Sequence, residues 1–316
     1  TQQNEVTAPK KMSITKGIAT WRVDGKRVVP EFKEDEYIKN EVKRFVERGI
    51  DEREALEQVT RNVKNFTHLA KIGDKVHKVA EMFFSSEIDN NDIYSAVDLP
   101  YDTISNLISS FETLKSGIQA GKHYEFIPEL TLETTDPDSD PLIGRLDLVA
   151  IDERGNAHLY DFKISTKHYS EWSSAKRINV DYQLAAYRGL LANKGIPVRD
   201  MSLNIVPIVI SDPDYDSETF SSFRIDSVEN RMVTNSENLR FPDGKISRVV
   251  SAHIKPNIPR VEIDSSFAYN VSKYSEIAFG KMTSITPEDF LKKYVRVENG
   301  VYKFRDFINK EGKDES

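Results

Sequence analysis

Apolar side chains recur at helical spacing between residues 34 and 84, with charged residues at the positions between them. Spacings of three and four residues place such side chains on one face of a helix. The pattern predicts three successive helices, with apolar faces made of Tyr37, Val42, Phe45 and Val46, of Leu56, Val59 and Val63, and of Leu69, Ile72, Val76, Val79 and Phe83. Residues 88–120 are predicted to be helical at first and then loop-like. Upstream, residues 1–17 are polar, and Asp24-Gly25 predicts the turn of a short hairpin.

From residue 124 onward the period changes, and apolar runs of strand length alternate with turn residues. Strands are predicted over residues 124–134, 142–152, 157–165 and 202–210, and a helix over residues 180–193. Pro207 lies inside the last strand and predicts a position near a sheet edge, because proline cannot donate a ladder hydrogen bond. Strands and helices that alternate along a chain are typical of α/β folds. We therefore expect a mixed β-sheet core flanked by helices.

After residue 212 the sequence changes to short strands and polar loops. Thr286 and Pro287 predict the start of a helix, and Asn299-Gly300 predicts the turn of a second hairpin. The predicted organisation is an N-terminal arm and strand (residues 1–35), a core domain (36–212) and an accessory α+β region (213–316).

The composition is that of a globular protein, since 38% of the 316 residues are hydrophobic and 30% are charged. The absence of cysteine excludes disulfides, thiolate nucleophiles and cysteine-bound iron–sulfur clusters. No apolar run is long enough to span a bilayer and the N-terminus lacks a signal-peptide pattern, so we expect a cytoplasmic protein without a membrane partner. The net charge of −7 disfavours non-specific binding of nucleic acid, although an acidic chain can carry a local basic groove.

Asp147, Asp161 and Lys163 lie inside two strands that are largely apolar. Residues 153–155 join the strands, and a three-residue loop that ends in glycine is typical of a hairpin with a G1 bulge. This loop sets Asp147 opposite Asp161, and side-chain alternation brings Lys163 to the same face as Asp161. The other face carries Leu146, Leu148, Tyr160, Phe162 and Ile164.

Two carboxylates at facing strand positions repel each other unless a positive charge lies between them. A divalent cation meets this need, since Mg²⁺ binds one or two carboxylates together with water and phosphate oxygens. Lys163 would then orient a water or stabilise charge that develops on phosphorus. The alternative is a surface strand pair with a structural Asp–Lys salt bridge. The metal site is favoured, because an unpaired charge inside apolar strands is costly.

Four short motifs occur in a fixed order around these residues. They are Gly73-Asp-Lys-Val-His77, Gly144-Arg-Leu-Asp147, Asp161-Phe-Lys163 and Gln183-Leu-Ala-Ala-Tyr187, with Trp172 between the last two. Over residues 72–210 this arrangement resembles the RecB-type branch of the PD-(D/E)XK nuclease superfamily, whose motifs are GxxxH, GxxD, (D/E)xK and QxxxY. The resemblance implies a restriction-endonuclease-like fold, with the nuclease domain over residues 36–212.

The resemblance also implies roles for individual residues, with Mg²⁺ or Mn²⁺ as the cofactor. The implied metal ligands are His77, Asp147, Asp161, the backbone carbonyl of Phe162 and, by a looser correspondence, Glu129 on the preceding strand. Lys163 would act on the attacking water or the transition state, and Gln183 and Tyr187 would organise the site or the DNA backbone. Some members of the branch carry a cysteine-bound iron–sulfur cluster, which a chain without cysteine cannot hold.

The helical candidates each have a structural alternative. His77 lies beside an apolar stripe and could simply pair with Glu81, one turn further on. Gln183 and Tyr187 share a helix face and could be the polar tips of a core surface. The order of the motifs favours the functional interpretation for all three.

The loop over residues 166–179 combines basic and aromatic side chains. The candidates for contact with DNA are Lys167, Tyr169, Trp172, Lys176 and Arg177. Such a mixture suits a single strand, with phosphates on the cations and bases on the rings. A solvated loop with Trp172 as its anchor is an equally good interpretation.

The sequence thus predicts a DNA nuclease, more an exonuclease than a sequence-specific endonuclease, that uses a metal-activated water without a covalent intermediate. The resemblance implies DNA repair, recombination or phage genome processing, on DNA that is single-stranded or has free ends, alone or within a larger replication, recombination or viral complex. Two alternatives stay open. One is a non-catalytic nucleic-acid-binding or assembly module that keeps the nuclease fold. The other is a small-molecule phosphoesterase, which has no need of the basic and aromatic loop.

Overall fold

In the computed structural model, the described residues are 12–15, 22–23, 26–27, 31–133, 142–193, 201–231, 233–240, 246–252, 295–298 and 301–304. The helices within these ranges are α1 (Glu34–Glu47), α2 (Glu52–Phe84), α3 (Asn90–Ala96), α4 (Tyr101–Gln119) and α5 (Ser174–Asn193), with a 3₁₀ turn over Tyr169–Glu171. The strands are β1 (Met12–Ser13), β2 (Arg22–Val23), β3 (Lys26–Arg27), β4 (Glu125–Glu133), β5 (Leu142–Ile151), β6 (Ala157–Ser165), β7 (Leu203–Ser211), β8 (Ser222–Ile225), β9 (Glu229–Arg231), β10 (Val233–Arg240), β11 (Ile246–Ala252), β12 (Val295–Glu298) and β13 (Val301–Phe304).

One mixed sheet forms the centre of the fold. Its main strand order is β12-β13-β4-β5-β6-β7-β8, with β1 paired to β5 and β9 paired to β7. β5 is antiparallel to both β4 and β6, whereas β6 and β7 are parallel and are connected through α5. α2 packs against β4, β5 and β6, and α5 packs against β4 and β5. The predicted class, a mixed β-sheet core flanked by helices, is confirmed.

The longest helix, α2, continues without a break for 33 residues. Its first turn is capped by the carboxylate of Asp51, which accepts the backbone N–H groups of Arg53 and Glu54. The prediction of two separate helices in this stretch is wrong, because neither Gly nor Pro separates Val63 from Leu69. The loop-like end predicted for residues 88–120 is also wrong, since α4 stays helical to Gln119.

Three phenylalanine rings join the helices to the central strand. Phe84 ends α2, Phe111 lies on α4 and Phe162 lies on β6, and their ring centroids are 5.7–6.2 Å apart. Phe162 is only 1% exposed, and a fully buried side chain of this size contributes about 2 kcal/mol to stability. This contact fixes β6 against two helices, and with it the positions of Asp161 and Lys163 on either side of Phe162.

The prediction that Pro207 marks a strand near a sheet edge is confirmed, since β7 is the penultimate strand and the short strands β8 and β9 form the edge beside it. β7 pairs with β6 on one side, and on the other side with β9 through Leu203 to Ile205 and with β8 through Ile208 to Ser211. The two short strands leave an interruption at Pro207, where no ladder donor is needed. The Pro207 carbonyl oxygen accepts a hydrogen bond from the backbone N–H of Asp226.

Two predicted hairpins are present as strand pairs. β2 and β3 are antiparallel on either side of residues 24–25, and β12 and β13 are antiparallel on either side of residues 299–300. The turn residues themselves, and the helix predicted from Thr286, lie outside the described residues. β8 and β9, which follow residue 212, belong to the central sheet, and the division into three regions stays a prediction. Within the described part of the chain, no helix has the length and apolar character needed to cross a membrane.

Candidate active site

The hairpin of β5 and β6 has the predicted register up to its last pair. Leu148 faces Tyr160, the backbone N–H of Asp152 donates to the carbonyl oxygen of Asn156, and Gly155 has a φ of +79°. One step further, Asp147 would face Asp161, but the backbone ladder ends there. The Asp147 carboxylate takes its place, because its Oδ2 accepts the backbone N–H of Phe162 at 2.8 Å.

A second carboxylate lies beside Asp147 on the other neighbouring strand. The pairs Pro128–Leu148 and Leu130–Leu146 bracket Glu129 in β4, so it occupies the position facing Asp147. Glu129 has a φ of +52°, a left-handed conformation that is uncommon for a residue other than glycine. Such conformations are most frequent at functional sites, where the surrounding structure maintains them.

His77 on α2 completes a cluster of three metal-binding side chains. Its Nδ1 lies 3.5 Å from Asp147 Oδ1, and donor atoms of His77, Glu129 and Asp147 all lie within 4.8 Å of one another. The three residues line a pocket of about 450 Å³, whose other lining residues are Asp74, Lys78, Glu81 and Arg145. The alternative in which His77 only pairs with Glu81 is not what the structure shows, since Glu81 pairs with Lys78 at 2.8 Å.

Asp161 and Lys163 form a buried ion pair next to this cluster. Lys163 Nζ lies 2.6 Å from Asp161 Oδ2, while Asp161 is 2% exposed and its Oδ1 has no hydrogen-bond partner in the described part of the chain. Asp161 does not belong to the cluster of three, although the resemblance implies it as a ligand. Phe162 contributes its N–H to Asp147, and the role of its carbonyl stays a prediction.

Crowding of charges in a buried site shifts the pKa values of the acids apart. Burial raises the pKa of Glu129 to about 7, with a further rise from the Asp147 charge. Burial also raises the pKa of Asp161 to about 6, where Lys163 opposes the rise and Asp147 adds to it. Burial alone would raise the pKa of Asp147, but His77, Lys163 and the Phe162 N–H hold it below its usual value.

Replacing Glu129 by Gln is expected to stabilise the metal-free protein at pH 8 by about 1 to 2 kcal/mol. The folded-state pKa near 7 lies above the ordinary value of 4.5, so the ionised side chain costs folding free energy above pH 7. That cost falls as the pH drops below 7 and is absent below the ordinary value. The gain in stability is smaller than the free energy that corresponds to the whole pKa shift, because Arg145 loses its ion-pair partner in the variant.

Thermal unfolding in EDTA at pH 8 and pH 5 measures this effect. The difference in Tm between Glu129→Gln and wild type should be largest at pH 8 and shrink toward pH 5. Glu57→Gln is the matched control, since Glu57 lies on the solvent side of α2 with its side chain 63% exposed. A Glu129→Gln protein that is less stable than wild type at pH 8 would contradict the expected cost.

Gln183 and Tyr187 are held together on α5, where the Gln183 Nε2 donates to the Tyr187 hydroxyl at 2.8 Å. Tyr187 is 5% exposed, and its pKa is raised first by burial and then by the charges of Asp161 and Asp147. The α5 helix packs closely on β5 at Gly144. A Cβ atom on Gly144 would lie 2.4 Å from Leu190 Cδ1 and 3.1 Å from the Tyr187 ring.

The aromatic residues after β6 do not present free faces to solvent. Trp172 is 5% exposed and donates its Nε1–H to the Lys167 carbonyl oxygen at 3.1 Å. Tyr169 lies under the Arg177 guanidinium, whose centre is 4.9 Å from the ring centroid. Trp172 is thus the anchor of the loop and its burial does not favour stacking on a base, whereas base contact by the partly exposed Tyr169 stays a prediction.

Arg145 has a role that the motifs do not predict, although it lies inside the motif that ends in Asp147. Its guanidinium forms an ion pair with Glu129 at the mouth of the pocket, where the Arg145 side chain is 63% exposed. The arginine between the glycine and the aspartate of this motif could have indicated the ion pair, since a strand position next to a carboxylate cluster favours a residue of opposite charge.

The donor atoms of the cluster fit a divalent cation. Two carboxylates and one imidazole supply hard oxygen ligands and one nitrogen, and the buried Asp161 Oδ1 beside them lacks any partner. Oxygen ligands suit Mg²⁺ and Mn²⁺, whereas an imidazole favours the transition metals. The set of His77, Glu129 and Asp147 therefore suits Mn²⁺ better than Mg²⁺.

Comparison with known proteins adds little to the geometry. No protein-family model and no curated protein matches this sequence. Among solved structures, the chain is similar to the crystal structure of SSO0001, with 11% sequence identity and a TM-score of 0.30 over 88% of this chain and 80% of that one. A similarity at this level supports no inference about activity.

Proposed function

We propose that this protein is a divalent-metal-dependent nuclease that hydrolyses phosphodiester bonds in DNA. The observation that carries the proposal is the cluster of His77, Glu129 and Asp147 next to the buried Asp161–Lys163 pair. These five side chains come from α2, β4, β5 and β6, and His77, Glu129 and Asp147 line the pocket. The motif resemblance supports the same activity, and DNA repair, recombination or phage genome processing stays the proposed context.

His77, Glu129 and Asp147 would hold the metal. A bound Mn²⁺ or Mg²⁺ supplies positive charge for a phosphoryl oxygen and favours ionisation of a nearby water. The reaction adds the oxygen of water to phosphorus and breaks one ester P–O bond, and the departing alkoxide takes up a proton.

Lys163 supplies a permanent positive charge beside the three side chains that would hold the metal. Burial alone would lower the pKa of Lys163, but Asp161 and then Asp147 raise it above its ordinary value. The side chain is therefore an ammonium at neutral pH and cannot remove a proton from water. It would instead stabilise the negative charge that develops on the phosphoryl oxygens. Removal of a comparable group in an enzyme lowers the rate by about 100-fold or more.

Asp161 positions that ammonium, since its Oδ2 contacts Lys163 Nζ at 2.6 Å. The remaining oxygen, Oδ1, is buried and has no hydrogen-bond partner among the described residues, so it would orient a water that enters the site. Tyr187 and Gln183 form a rigid pair behind these groups and orient the site from α5.

Degradation of end-labelled single- and double-stranded DNA tests the proposal, with Mn²⁺, Mg²⁺ or EDTA present. We expect cleavage with Mn²⁺, weaker cleavage with Mg²⁺ and none with EDTA. Asp161→Asn and Lys163→Gln should each lower the rate by at least about 100-fold. Circular dichroism of each variant separates a lost site from a lost fold.

The exposed carboxylate variant Glu57→Gln should cleave as wild type does. DNA binding without cleavage under any metal would overturn the enzyme and favour the non-catalytic binding module. Hydrolysis of small phosphodiesters with no activity on DNA would favour the phosphoesterase alternative.

A further inference from the structure

Lys176 holds its ammonium over the ring of a buried tryptophan. Its Nζ lies 4.1 Å from the centroid of the Trp172 ring, a distance at which a cation is attracted by the ring face. Trp172 is itself fixed, because its Nε1–H donates to the carbonyl oxygen of Lys167. The tryptophan ring therefore determines the position of the Lys176 ammonium group.

Neither Lys167 nor Lys176 has a carboxylate partner among the residues that the structure describes. Lys176 is half-buried, and burial together with the positive charges of Lys163 and Lys167 lowers its pKa to about 8. Lys167 is exposed, but a half-buried ammonium such as that of Lys176 near other cations is unfavourable without a counter-ion. An arrangement of this kind is stabilised when an anion binds.

The surroundings of Lys176 also favour an anion. Lys176 lies in the first turn of α5, which contains no acidic residue, and the 20-residue helix directs the positive end of its dipole there. The Lys163 charge contributes to the lowered pKa of Lys176, so the site lies within electrostatic reach of the ammonium assigned to the cleavage reaction.

We propose that Lys167 and Lys176 bind a phosphate group of the substrate that neighbours the one being cleaved, with Trp172 as the support of Lys176. This inference rests on the proposed function, because it assigns a second phosphate of the same nucleic acid. The phosphate can be an internal diester or a terminal monoester. The tryptophan contacts the lysine and not a base, so recognition at this position does not depend on sequence.

Binding in EDTA, where cleavage is excluded, tests the phosphate site apart from catalysis. The probe is a short fluorescein-labelled single-stranded oligonucleotide, followed by fluorescence anisotropy over a range of salt concentrations. Lys176→Met should weaken binding by about 5- to 10-fold and lower the slope of log K against log [salt] by about 1. Lys176→Arg should keep most of the affinity, and Trp172→Leu should reproduce the loss.

Lys64→Met is the matched control, since Lys64 is exposed on α2 and should leave affinity and slope unchanged. Oligonucleotides with one neutral methylphosphonate each then locate the contact. At the contacted phosphate, Lys176→Met should cause no further loss, whereas it should weaken binding at every other position. Oligonucleotides with and without a 5′ or 3′ phosphate separate a terminal monoester from an internal diester.

Equal loss for Lys176→Met at all methylphosphonate positions, or an affinity and slope like those of wild type, would overturn the phosphate site. Cleavage by wild type combined with that result leaves the nuclease standing without this site. Binding that depends on Lys176 in a protein that cleaves nothing leaves the site standing and removes the nuclease. A wild-type protein that neither binds nor cleaves DNA removes both.

Discussion

Replacement of Asp147 by Asn is expected to abolish metal binding and to lower the DNA cleavage rate by more than about 100-fold, while the protein stays folded. Asp147 has two separate tasks. Its Oδ1 faces His77 at 3.5 Å inside the donor cluster, and its Oδ2 accepts the Phe162 N–H at 2.8 Å. An asparagine oxygen can still accept from Phe162, but the amide carries no charge for a cation.

Asp147→Ala separates the two tasks. Alanine leaves the buried Phe162 N–H without a partner, which costs about 1 to 3 kcal/mol, so this variant should lose both metal binding and stability. Titration calorimetry with Mn²⁺ and thermal unfolding in EDTA measure the two effects independently. Wild-type affinity for Mn²⁺ in Asp147→Asn would show that the cluster of His77, Glu129 and Asp147 is not the metal site.

The central hairpin is the part of the site that the sequence predicts best. A three-residue loop that ends in Gly155 determines how β5 and β6 pair. The register then runs to Leu148 and Tyr160, the residues next to Asp147 and Asp161. The close approach of Asp161 and Lys163 follows from side-chain alternation. Local rules suffice here, because the two strands are adjacent in sequence.

Other features depend on contacts that no local pattern contains. Glu129 has a left-handed backbone conformation that no glycine in the sequence predicts. This residue, which only a looser correspondence suggested as a ligand, belongs to the cluster. Asp161, a stronger candidate by motif, turns toward Lys163 instead. A tryptophan among basic loop residues is compatible with an exposed or an interior ring, and only tertiary packing decides that Trp172 is interior. Pro207 cannot donate a ladder hydrogen bond. The interruption between the short strands β8 and β9 accommodates this as well as an edge strand would.

Gly144→Ala is expected to lower the free energy of unfolding by about 2 to 3 kcal/mol, because the new methyl group meets a packed core. It would lie 2.4 Å from Leu190 Cδ1 and 3.1 Å from the Tyr187 ring, and both side chains are buried. Either Leu190 would have to adopt another rotamer or α5 would have to move away from β5, and both changes disturb the packing of the Tyr187 ring. Cleavage should therefore fall together with Tm, and chemical denaturation followed by circular dichroism measures the loss of stability.

Gly73→Ala on α2 is the matched control, since it adds the same methyl group in another of the four motifs. There the nearest atom would be Ile164 Cβ at 3.9 Å, an ordinary contact, and replacing glycine by alanine inside a helix contributes about 0.5 to 1 kcal/mol. The two variants should change stability in opposite directions. Equal stability of Gly144→Ala and wild type would mean that α5 is not packed on β5 at this distance, and the support that Tyr187 and Gln183 give to the site would then have to come from another contact.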